Sequence, residues 1–174
     1  MAVATVERAA PAVQEPVAAD KLVIMACSGD LERTWATLIL ATTGAAMGKD
    51  VTIFFTFWGL FPLVKNQVRI TGENWMQKML AVMNHGGADH LKLSKLNFAG
   101  AGKAMMMHLA EEQHVASPQE LLDSALELGV HLVPCKMTMD MMGLTVDDLI
   151  DGVEPPAGAA TALAAAKGAT TLFI

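Results

Sequence analysis

The stretch with the clearest capacity for chemistry is Val130–Gly143, reading Val-His-Leu-Val-Pro-Cys-Lys-Met-Thr-Met-Asp-Met-Met-Gly. Val130 to Val133 is a short apolar run that reads as a buried strand, closed by Pro134. Cys135 follows at once, and Lys136 to Met142 stop at Gly143, the pattern of a short helix with a glycine stop. A cysteine between a strand and a helix sits where unpaired backbone N–H groups stabilise anions, and Lys136 adds a positive charge in the same place. Both effects favour thiolate over thiol, and the thiolate is the nucleophile. The competing reading is inert packing, because free cysteines are among the most buried residue types. Thr138 and Asp140 stand where they can hydrogen-bond near the sulfur, although Asp140 equally suits a solvated helix charge.

A second thiol, Cys27, also ends an apolar run and precedes a helix start. If the two strands neighbour each other in a parallel sheet, Cys27 can resolve or share sulfur with Cys135; otherwise it is the last inward side chain of its strand. Met137, Met139, Met141 and Met142 surround Cys135, and Met105-Met106-Met107 form another group. Thioethers beside a thiolate suit Cu(I), yet methionine more often serves adaptable packing in cores and partner surfaces, which is the favoured reading. Trp58, with Phe57 and Phe61, is either a rim over the site or a subunit contact.

Other chemistries lack their residues. Gly100-Ala101-Gly102-Lys103 resembles the tail of a phosphate-binding loop, but Asn97 stands where that loop needs glycine and Ala104 where it needs Ser or Thr. No G-x-G-x-x-G follows the first strand, so a dinucleotide site lacks its glycines. His85, His90, His108, His114 and His131 are scattered without zinc-ligand spacing, and no resident metal or cofactor is expected.

The elements that must position these residues alternate. Lys21–Cys27 is an apolar run ending in Ser28-Gly29-Asp30, a strand, a turn and a helix N-cap at Asp30. Leu31 to Met47 carries apolar residues at helical spacing (Leu31, Trp35, Leu38, Ile39, Ala46) and Gly48 stops it. Val51–Phe55 is a second buried strand, completing a β-α-β unit with parallel strands. The loop from Thr56 to Pro62 leaves the carboxyl end of that strand, the edge where such sheets keep their ligands. Glu73 to His85 reads as an amphipathic helix, with Trp75, Met76, Met79, Leu80 and Met83 on one side. Lys103–Gln113 and Ser117–Leu128 read as helices, the second opened by a Ser117/Glu120 capping box with Pro118 in its first turn. A short helix is expected from Thr145, a hinge at Pro155-Pro156, an alanine-rich helix over Ala157–Lys167 and a closing strand over Thr170–Ile174. The pattern predicts an α/β fold, a three-layer α/β/α sandwich around a mostly parallel sheet of four to five strands.

Bulk properties agree with one domain, residues 21–174, behind a flexible N-terminal tail of residues 1–20 rich in Ala, Val, Pro and Glu. Glu7 and Arg8 stand where a signal peptide needs its apolar core, so the tail is not read as an address. Hydrophobic residues make up 53% and charged ones 17% of the 174 residues, which implies apolar surface buried between subunits or against a partner. The net charge of −6 without a basic run argues against nucleic acid. Two cysteines without C-x-x-C make no disulfide framework and suit a cytoplasmic location. The most apolar run, Val51 to Val64, is interrupted by Thr52, Thr56 and Pro62 and falls short of the ~20 residues a membrane span requires.

The strings that end these elements resemble the DsrE/DsrF/DrsH-like family, from Lys21 nearly to Ile174. The segments that carry the resemblance are Ser28-Gly29-Asp30-Leu31, Gly48–Leu60 with its Phe-Phe-Thr-Phe-Trp-Gly-Leu, Met105-Met106, Cys135–Gly143 with its Cys-x-Met-x-Met-Asp-x-Met-Gly, and Asp151–Glu154. The resemblance implies a small α/β sandwich that assembles into homo-oligomers. It also implies sulfane sulfur held on Cys135 and passed between rhodanese-like donors and TusA-like acceptors. Cys27 lies outside the family's motif, and Pro155-Pro156 replaces an expected glycine-rich turn.

The resulting expectation is a sulfur carrier or sulfurtransferase with Cys135 as nucleophile. Lys136, Thr138 and Asp140 support its thiolate, Cys27 is a possible second thiol, and Trp58, Met105, Met137 and Met139 form the partner surface. The alternative from another class is a redox-sensing or scaffolding oligomer without enzymatic activity, with a Cu(I)-binding module behind it.

Overall fold

A computed structural model describes residues 20–66 and 86–174. The expected tail up to residue 19 and the expected helix Glu73–His85 lie outside the described residues.

Among the described residues four strands, β1 (Lys21–Ala26), β2 (Asp50–Phe55), β3 (His131–Pro134) and β4 (Thr170–Phe173), form one sheet in the order β3-β2-β1-β4. All three pairings are parallel. Ala26 is in register with Phe55, and Phe55 with Pro134. Cys27, Thr56 and Cys135 therefore leave the three adjacent strands at the same level.

One face of the sheet carries α1 (Leu31–Ala46) and α3 (Pro118–Glu127), and the other carries α5 (Ala159–Ala166). The division follows the strand period of two. Leu22, Ile24, Val51, Ile53, Phe55 and Leu132 meet Leu38 and Ala41 of α1 and Leu122 and Ala125 of α3 in the main core. Ile24, Leu38, Ile53, Leu122 and Leu132 are wholly shielded, and each such side chain contributes about 1.5–3 kcal/mol by leaving water. Met25, Phe54 and Val133 alternate with these to the opposite face, where Ala162 of α5 meets them.

Local chemistry sets the element ends. The Ser117 hydroxyl accepts from the Glu120 N–H at 3.3 Å, and the Glu120 carboxylate accepts from the Ser117 N–H at 2.7 Å, so the expected capping box opens α3. Asp30 has the extended backbone of an N-cap, but its side chain does not cap α1; the Ser28 hydroxyl donates to that carboxylate at 2.8 Å. α2 (Ala101–Glu112) buries only Gly102, while Met105 on it is 63% exposed. The helix expected from Thr145 is one 3-10 turn, Val146–Asp148. After β2 the chain enters a 3-10 segment, Phe57–Leu63. Gly59 is needed there because a Cβ would lie 2.3 Å from the Ala26 carbonyl oxygen.

Candidate functional site

Cys135 is the N-cap of α4 (Lys136–Met142), immediately after β3. Its N–H donates to the Phe55 carbonyl at 2.9 Å as the last rung of the ladder, and its carbonyl accepts the first helical bond from Met139 at 3.0 Å. Gly143, at φ +70, stops the helix as the sequence predicts. The sulfur thus hangs where sheet bonding ends and helix bonding begins.

Its surroundings are polar on one side and apolar on the other. The Thr138 hydroxyl, the backbone N–H groups of Thr138 and Met137, and the Thr56 hydroxyl are the polar groups that favour its thiolate. Phe54 and Ala162 pack against the remaining side, so that Cys135 is 4% exposed. Burial is the largest single influence on the thiol and opposes its ionisation. The hydroxyls of Thr138 and Thr56 and the two amides together outweigh it and hold the pKa below its ordinary value.

The threonine protons can be followed. Thr138 Oγ1 accepts from the Phe57 N–H at 3.0 Å, so the two hydroxyl protons of Thr138 and Thr56 are shared between their own contact and the sulfur. Thr56 Oγ1 lies 3.1 Å from Thr138 Oγ1, and its hydroxyl also lowers the pKa of the thiol. Thr138 is fully buried, so its rotamer is set by packing as well as by these bonds. The arrangement can stabilise a sulfur anion and hold it ready for nucleophilic attack.

Of the residues expected at the site, the structure brings Thr138 to the sulfur and places others elsewhere. Lys136 Nζ forms an ion pair with Asp140, one helical turn on, and both side chains are about 60% exposed. Their charges are spent on each other and neither is among the causes of the Cys135 shift. Met139 is buried in the main core, which removes it from the partner surface. Met137 is 58% exposed beside the site, while Trp58 stacks on Phe61 at 5.8 Å and lines a small pocket with Ser28, Asp30 and Leu91.

Cys27 is not a neighbour of Cys135. β2 lies between the two strands, so the Cα atoms are separated by two strand spacings, about 10 Å. That exceeds the ~7 Å limit for a disulfide without backbone movement. The Cys27 thiol donates instead to the Ile174 carbonyl at 3.2 Å, on the side of β4. Thr56 occupies the intervening strand end and is the residue that sequence reasoning missed. Its signal was position alone, a lone hydroxyl two residues beyond Phe54.

A groove of about 730 Å³ runs along the same sheet face. Phe54, Val133, Ala157 and Ala162 line it and also flank Cys135. At its far end His131 Nδ1 is 2.7 Å from Glu154 Oε1, with Asp50 beyond.

The DsrE/DsrF/DrsH-like family model matches residues 18–173. The chain belongs to that family. It is 38% identical over 151 residues to the uncharacterized protein YrkE of Bacillus subtilis, covering 87% of this chain and 94% of that one. It is 34% identical over 143 residues to the sulfur carrier protein DsrE2 of Allochromatium vinosum, covering 80% and 89%. The crystal structure of the YchN protein from E. coli superposes with a TM-score of 0.51 at 15% identity, covering 89% of this chain and 99% of that one, and supports the DsrE-like fold. No helix among the described residues is long and apolar enough to cross a membrane.

Proposed function

We propose that this DsrE-like protein carries sulfane sulfur on Cys135. The observation that supports this most is the place of Cys135 at the junction of β3 and α4, beside the paired hydroxyls of Thr56 and Thr138, where its pKa is lowered despite burial. The Cys135 thiolate attacks the outer sulfur of a donor persulfide, R–S–SH. A new S–S bond forms as the donor's S–S bond breaks, giving Cys135–S–SH and leaving R–S⁻. An acceptor thiolate then attacks the same outer sulfur and takes it as a persulfide, returning the Cys135 thiolate. No net oxidant or reductant is consumed.

In this reading a rhodanese-like protein is the donor and a TusA-like protein the acceptor, in the cytoplasm. The protein works as a homo-oligomer, consistent with large apolar side chains in the open, Phe98 at 74% and Phe173 at 75% exposure. Loading with inorganic polysulfide, removal of the excess and addition of a TusA-like acceptor tests the transfer. The acceptor should gain one sulfur from wild type and none from Cys135→Ser. Oxidation of Cys135 with no sulfur reaching any acceptor would favour the redox-sensing alternative instead.

A further inference from the structure

We infer that α5 is a gate over Cys135, and that sulfur enters and leaves only when this helix lifts from the sheet. The inference deepens the sulfur-carrier reading and rests on it for its purpose. A nucleophile that is 4% exposed must be uncovered before any partner's sulfur can reach it in line. On one side of the thiol stand Thr56, Thr138 and the first turn of α4, anchored to strand ends by hydrogen bonds. Phe54 belongs to β2 in the middle of the sheet. Ala162 is the covering side chain that a movable element carries.

α5 is weakly held. It has eight residues, a length at which a helix in isolation is marginal, and Ala162 is its only buried side chain. Its N-cap Gly158 offers no side-chain oxygen, and no basic residue stands in its last turn. Such an element opens locally at far lower cost than the core. Its ends are built to turn. Gly158 and Gly168 flank it, each with open space where a Cβ would stand, and Gly168 sits at φ +73.

The segment before the gate is fixed. The Glu154 N–H donates to the Leu132 carbonyl and the Ala157 N–H to the Pro134 carbonyl, both at 2.9 Å, while the Lys136 N–H donates to Ala157 at 2.9 Å. Residues 154–157 are thus tied along the free edge of β3, and motion begins at Gly158. Because Ala162 also lines the groove, lifting α5 joins the thiol to that space.

The test compares two exposed alanines. Ala164→Gly loosens α5 without touching the thiol, whereas Ala36→Gly makes the same exchange in α1. Iodoacetamide labelling of Cys135, followed by peptide mass spectrometry, should run about fivefold faster in Ala164→Gly, the shift a glycine exchange inside a helix produces, and unchanged in Ala36→Gly. Equal rates in all three proteins, or equal acceleration in both variants, would overturn the gate. Polysulfide loading of the same proteins separates the two ideas. Faster labelling without sulfur uptake keeps the gate and removes the carrier, and uptake without faster labelling does the reverse.

Discussion

Thr56 and Thr138 meet through their hydroxyls at 3.1 Å although 82 positions separate them, and both lower the pKa of Cys135. One comes from the end of β2 and the other from the first turn of α4, so the fold assembles a donor set that no single segment contains. Their pairing makes the low pKa of Cys135 a property of the sheet register as much as of the helix start.

Thr138→Val removes a hydroxyl that lowers the thiol's pKa while keeping the shape. A hydrogen bond to a charged group is worth about 1.5–3 kcal/mol, and its loss disfavours the thiolate. The pH profile of Cys135 alkylation should move upward, and Thr138→Ser should keep most of the wild-type profile. A profile unmoved in Thr138→Val would show that this hydroxyl does not lower the pKa.

Lys136→Gln should leave that pH profile in place, because the ammonium is committed to Asp140 and both groups are well exposed. The stability cost should stay under about 1 kcal/mol, as for other surface pairs. A rise in the alkylation pKa comparable to that of Thr138→Val would restore the lysine to the site.

The depressed thiol pKa also predicts a pH dependence of stability. Between the folded value and the ordinary value of 9.0 the folded chain binds fewer protons at Cys135 than the unfolded chain. Stability from this group therefore rises with pH through that window, is fully present above it and is lost as pH falls through the folded value. The difference in urea midpoint between wild type and Cys135→Ser should widen toward pH 9.0 and narrow at lower pH. Parallel curves would contradict the shift.

Gly59→Ala should destabilise the chain by about 1–3 kcal/mol through overpacking, because its Cβ would press on the Ala26 carbonyl at 2.3 Å. Differential scanning calorimetry should show a melting temperature lower by several degrees, at about 2–4 °C per kcal/mol for a chain of this size. An unchanged melting temperature would mean that the 3-10 segment after β2 shifts freely.

Much of this was legible in residue patterns. The apolar runs gave the strands, the Ser117/Glu120 pair opened α3, and Cys135 was placed between a strand and a helix by Pro134 before it and Gly143 after. Thr56 was not legible, because its role depends on strand register, which neighbouring residues do not encode. The same ignorance of strand order allowed Cys27 to be set beside Cys135, where β2 in fact intervenes. Lys136 and Asp140 carried their i, i+4 spacing in plain view, yet each was read against the sulfur and not against the other. In a seven-residue helix with methionine at 137, 139, 141 and 142, periodicity could not decide which would turn inward; the core took Met139 and Met142.

The central claim is that Cys135 holds transferable sulfur. Incubation with inorganic polysulfide, gel filtration and peptide mass spectrometry should place one added sulfur atom on the peptide containing Cys135, released by dithiothreitol. Cys27→Ser should load equally and Cys135→Ser not at all. Sulfur found on Cys27 alone, or no added mass on the wild-type Cys135 peptide at any pH above the thiol's folded pKa, would contradict the account.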